Sequence, residues 1–189
     1  MIGNFNDVKE SQMNRFVESP LGKKAESSVA DKYIVLADKS LAFIYDKFKC
    51  CPVENGKWTG ERGDSKWCPD KDYIPGKANP DGKNWGEILK KFGIDGIEYR
   101  NGEPDFSRIS KETVKIKDFC ENRADNFDKA DIALAKQQHC SPDTVKKWRK
   151  ENAYTWHECK DMKTMQLVPS VIHNNMSHSG GISEAKKGA

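Results

Sequence analysis

"AYTWHECKDMKTMQLVPSVIHNNMSHSGG", residues 153–181, carries three of the four histidines of the chain, His157, His173 and His178. The stretch divides by its own chemistry. Ala153 to Glu158 contains Tyr, Thr and Trp, which favour a strand. Lys160-Asp161 is polar and can turn the chain. Thr164 to Val168 predicts a second strand with Met165 and Leu167 on one face, and Pro169 stops it. Ser170 can cap a short helix from Val171 to about Met176, and Ser179-Gly180-Gly181 ends it. The local order is strand, turn, strand, helix.

On that path His157 lies at the end of the first strand, His173 in the first helical turn, and His178 at or beyond the helix end. A hairpin packed against its own helix can bring the three together. Imidazoles meeting Glu158 in a polar pocket suit a divalent metal. A neutral imidazole beside a metal can also take a proton from water. One geometric condition applies. His173 and His178 would sit roughly 140° apart on a straight helix, so they converge only if the helix ends between them. On spacing alone, three ordinary surface histidines explain the pattern as well as a site does.

Upstream, Ser141-Pro142-Asp143-Thr144 predicts a helix start, with Val145 and Trp148 inward and an end near Asn152. Residues 122–138 read as a helix carrying Phe127, Ala130, Ile132, Leu134 and Ala135. A strand is expected at Gly96 to Arg100 with a turn at Asn101-Gly102, a short helix at Asn84 to Phe92, and a possible strand at Thr113 to Ile116. Residues 50–86 are rich in Gly and Pro yet hold Trp58, Trp67, Tyr73 and Trp85. They read as loops pinned by aromatic anchors. Residues 1–50 read as helical, from the apolar spacing of Val29, Tyr33, Leu36, Leu41, Ile44 and Phe48. The expected organisation is a helical segment over 1–50 and a second domain over 51–189, with the strand-strand-helix unit at 153–182. The fold class is α+β.

At 189 residues with 36% hydrophobic, 32% charged and 10% aromatic residues, the chain is polar but able to build a core. No apolar run is long enough for a transmembrane helix, and the first residues do not read as a signal peptide. The six cysteines are irregularly spaced and form no C-x-x-C pair, which favours free thiols. The net charge of +3 resides in residues 141–189, where eight Lys/Arg face five Asp/Glu. A basic segment suits an anionic partner, although charge alone fits a solvated face as well.

Trp156-His157-Glu158, Thr164-Met165-Gln166-Leu167-Val168-Pro169, His173 and His178-Ser179-Gly180-Gly181 together resemble the HNH/endonuclease VII superfamily. The likeness is to the clades of bacterial polymorphic toxin nucleases with a Trp-His-His signature. Gly60 to Gly63, Gly93 to Ile97, Asn101 to Ser107 and Lys147 to Asn152 also look like segments that precede such motifs, so the resemblance spans roughly residues 58–187. It implies a ββα-metal core and cleavage of phosphodiesters, mostly in DNA, with one divalent cation (Zn, Mg, Mn or Ni). It further implies a toxin delivered into a target cell and a cognate immunity protein. Metal ligands would come from Glu158, His173 and His178.

Where many relatives have two adjacent histidines, this chain has His157-Glu158. Two assignments follow. In one, His157 is the base and Glu158 holds the metal or orients the imidazole. In the other, His157 is a ligand and Glu158 takes the basic role. The neutral titration range of imidazole favours the first. Lys147, Arg149, Lys160 and Lys163 are the expected nucleic-acid contacts, all to backbone phosphates, so little sequence specificity is implied. The phosphodiester could belong to DNA or RNA. A phage or housekeeping HNH nuclease, or a non-catalytic zinc-stabilised nucleic-acid binding module, would carry the same residues.

Overall fold

The structure is a computed structural model that describes residues 48–187. The expected helices of the first fifty residues lie almost wholly outside that range. Two small antiparallel sheets and five helices make up the described part, a mixed α+β architecture.

The first sheet has the order β1-β2-β3-β4, from β1 (Gly56–Trp58), β2 (Lys66–Pro69), β3 (Ile97–Arg100) and β4 (Glu103–Pro104). β1 and β2 fall in the segment read as loops. They are three and four residues long, too short for an alternating pattern to register. Of the expected aromatic anchors, Trp67 and Trp85 are buried, whereas Tyr73 is exposed. The turn between β3 and β4 is the expected one. Asn101 and Gly102 both have positive φ, the left-handed backbone that a tight two-residue hairpin requires. α1 (Trp85–Lys91) starts on a capping box in which Asn84 and Glu87 each bond the other's backbone N–H.

The second sheet is β5-β7-β6: β5 (Glu112–Lys115), β6 (Tyr154–Glu158) and β7 (Thr164–Pro169), with β7 central. α2 (Arg123–Gln138) and α3 (Pro142–Glu151) pack on one face. Ser141 caps α3 as expected, and Val145 and the partly buried Trp148 turn inward. Adjacent strand residues face opposite ways. Trp156, Met165 and Leu167 therefore enter the core formed with α2 and α3. Val168 enters the other core, with Ile172, Met176, α1 and the first sheet.

The strand-strand-helix unit is present with one difference. α4 runs only Ser170–His173, shorter than expected, and its N-cap position is Pro169 with no side-chain cap. Gly180 does not end this helix. It is the N-cap of a further short helix, α5 (Gly181–Ala185). No helix among the described residues is long and apolar enough to cross a membrane, and all six cysteines are free thiols.

Candidate active site

Early termination of α4 meets the geometric condition on the histidines. α4 ends at His173, the chain unwinds through a turn from Asn174 to Ser177, and His178 comes back to within 5.1 Å of His173, ring centre to ring centre. His157 completes the cluster at 5.4 Å from His173 and 4.9 Å from His178. The return is possible because residue 180 lacks a side chain. A Cβ there would lie 2.7 Å from the Glu158 carbonyl oxygen, so only glycine lets the chain pass so close to the end of β6. Fully buried Phe106 lies beneath all three rings, with centres 4.9 Å from His157 and 5.9 Å from each of the others.

The nitrogen chemistry fits a cation. One ring nitrogen from each histidine lies within 4.8 Å of those of the others. His178 Nδ1 is 2.6 Å from the Met176 carbonyl oxygen, and His173 Nδ1 is 3.1 Å from Asn174 Oδ1. Each Nδ1–H therefore donates, which leaves the Nε2 lone pair for a ligand bond. Both ring nitrogens of His157 are buried with no hydrogen-bond partner among the described residues. Leaving such a group unpaired costs about 1–3 kcal/mol. A cation bonded to one of them would relieve that cost.

A second group of potential ligands shares His157 and adds Glu103 and Cys159. It suits a metal less well. Burial, followed by the nearby Glu103, pushes the Cys159 thiol up to about 12, and burial raises the Glu103 carboxyl as well. Glu103 Oε1 is 3.9 Å from His157 Nε2, beyond hydrogen-bond reach, and accepts from the Lys160 backbone at 2.6 Å.

Burial also holds all three imidazoles below their ordinary value, His178 at about 4, with neighbouring imidazoles adding repulsion at His157 and His178. They are neutral at pH 7, as metal ligands must be. The unfolded chain takes up these protons near pH 6.5, the folded chain only lower, so between the two values the unfolded state binds more protons. The metal-free protein should accordingly lose stability as pH falls from about 6.5 towards 4, His178 alone contributing about 3 kcal/mol at most. Urea titrations in EDTA at pH 7.5 and pH 5 test this, and equal midpoints would contradict it.

Glu158 is held apart from the triad. Strand alternation turns it to the α2 face, where Oε2 accepts from Arg123 Nε and Oε1 from Asn126 Nδ2, each at 2.9 Å. Asn126 is fully buried and also bonds the Cys120 backbone N–H and carbonyl, tying the start of α2 to β6. Arg123 and Asn126 are not among the residues that the sequence motif singles out. The available signal was the two-residue period of the strand, which places Glu158 opposite His157 and calls for a polar partner on the next helix.

The four expected nucleic-acid contacts are scattered. Arg149 is buried and forms a two-point ion pair with Asp131. Lys147 is exposed beside Glu151, Lys160 Nζ donates to the Asn101 carbonyl, and Lys163 is exposed at the β6–β7 turn. None of these four lines the histidine cleft. Its walls include Lys77, Arg123, His157, Glu158, His173 and His178.

Residues 96–180 match the Colicin-DNase family, described as the DNase/tRNase domain of colicin-like bacteriocins. No curated protein matches the chain. The matched stretch takes in the three histidines, Phe106, Arg123, Asn126 and Glu158, and supports a nuclease toxin domain.

Proposed function

We propose that the chain acts as a metal-dependent endonuclease of HNH type, cutting DNA with little sequence preference, as an antibacterial toxin delivered into a target cell. The observation that carries the reading is the convergence of three neutral imidazoles, two with Nδ1 already engaged, within a stretch similar to nuclease toxins. A bound divalent cation would supply Lewis-acid stabilisation of the charge that builds on the phosphate oxygens.

The chain's own groups divide the remaining work. His157, His173 and His178 hold the cation, so the ligand assignment for His157 is preferred over the base. The ring of Phe106 supports the imidazoles and keeps water from their undersides. Glu158, which lines the cleft outside the imidazole cluster, receives the proton of the attacking water at a carboxylate oxygen, with Arg123 and Asn126 fixing its orientation. An acidic immunity protein would cover the cleft, its carboxylates meeting the cations there.

Plasmid cleavage tests the reading. The purified protein should nick and linearise plasmid with Mg, Mn, Zn or Ni, stop in EDTA, and resume on addition of metal. A folded protein that cuts neither DNA nor RNA with any of these metals would sink it.

A further inference from the structure

We propose that Lys77 and Arg123 form an anchored pair of phosphate contacts that grips the nucleic-acid backbone in the histidine cleft. The inference rests on the nuclease reading and adds residues that neither charge counting nor the motif suggested.

Lys77 and Arg123 are the two basic residues lining the cleft. Each is tied to a residue close to a histidine. The Lys77 backbone is clamped on both sides by one side chain: its N–H donates to Asn175 Oδ1 at 3.1 Å, and its carbonyl accepts from Asn175 Nδ2 at 2.7 Å. Asn175 lies two residues after His173 and three before His178. Its amide also donates to the Val171 carbonyl at 2.7 Å, which fixes it to α4. The clamp joins residues 98 apart in sequence, so the base of the Lys77 side chain moves with the ligand-bearing segment.

Arg123 is anchored through Glu158, the neighbour of His157. Among the described residues only its Nε is engaged, at 2.9 Å, while the side chain is 60% exposed and the two terminal nitrogens of the fork make no protein hydrogen bond. A planar fork with its outer edge open suits two phosphate oxygens, and a clamped lysine supplies a second positive point. Arg123, held at Nε, loses less freedom on binding than an untethered side chain would, while the Lys77 clamp fixes only where that side chain starts, at the rim of the cleft.

The test is binding of the metal-free protein in EDTA to a labelled duplex DNA of twenty base pairs, followed by fluorescence anisotropy from 50 to 200 mM salt. Each phosphate contact contributes about 0.9 to the magnitude of the slope of log K against log salt. Lys77→Gln and Arg123→Gln should each weaken binding and flatten the slope by about 0.9, and the pair by about twice that. Lys77→Arg and Arg123→Lys, which keep the charge, should restore most of the slope. Lys136→Gln, near the far end of α2, should leave it unchanged. Wild-type binding with an unaltered slope in both Gln variants would overturn this inference and leave the nuclease reading standing. Failure of the metal-free wild type to bind this duplex even at 50 mM salt would also overturn this inference, while plasmid cleavage with added metal decides the nuclease reading separately.

Discussion

His173→Ala should reduce metal-dependent plasmid cleavage by more than about 100-fold, because loss of a ligand exceeds the 10–100-fold effect of losing a ligand's outer partner. The same variant should bind the divalent cation far more weakly by calorimetry while its far-ultraviolet circular dichroism in EDTA stays that of the wild type. The fold should survive because its cohesion lies elsewhere. Two apolar cores, one on each face of the β5-β7-β6 sheet, are built without any histidine. His173 is only half-buried, and its ring contacts are to Phe106 and the other imidazoles. That separates an enzyme from a zinc-stabilised binding module, in which removing the metal removes the fold. If EDTA alone unfolds the wild-type protein, the binding-module reading gains. If His173→Ala cuts as fast as wild type, the three-imidazole site is not where the chemistry happens.

β3, β5, β6, β7 and α1 to α3 were legible because each rests on local rules, whereas α4 is shorter than its sequence suggests and α5 has no signal in it. Strand propensity, a proline stop and a serine cap act within a few residues, and the match of β6 and β7 to their expected spans reflects this. Two kinds of feature were not legible. β1 and β2 are too short to show a period, and pairing that joins residues far apart in sequence has no local signature. The direction of charged side chains was the other. By charge alone Arg149 counts as a surface cation, yet it stands four residues after Val145 and so shares its inward face on α3. Lys77 sits in a Gly/Pro-rich loop with nothing local to connect it to the histidines. Only the Asn175 clamp does so, and that is a tertiary fact.

Asp131→Ala should destabilise the protein by about 3–5 kcal/mol, enough to endanger a fold whose total stability is of the order of 5–15 kcal/mol. Asp131 Oδ1 accepts from Trp156 Nε1 at 2.7 Å and from Arg149 Nε at 3.2 Å, and Oδ2 accepts from Arg149 Nη2 at 2.8 Å. All three residues are buried, and the Arg149 guanidinium also lies over the Phe127 ring at 5.3 Å. Removing the carboxylate leaves a guanidinium and an indole N–H in the interior with nothing to accept from them, and the stranded charge dominates the cost. Replacing both members of the ion pair, Asp131→Leu with Arg149→Met, removes that charge along with its partner and should recover most of the loss. The Trp156 N–H remains unpaired in the double variant, which sets a residual penalty of about 1–3 kcal/mol. Urea unfolding of the wild type, Asp131→Leu, Arg149→Met and the double variant in EDTA measures the coupling directly. A double variant as unstable as the sum of its parts would show that the pair is not coupled. The functional consequence runs through the strand. Trp156 precedes His157, so the network that holds the indole against α2 also fixes where β6 delivers the first imidazole. A folded Asp131→Asn variant should therefore lose metal affinity as well as stability, although it touches none of the histidines.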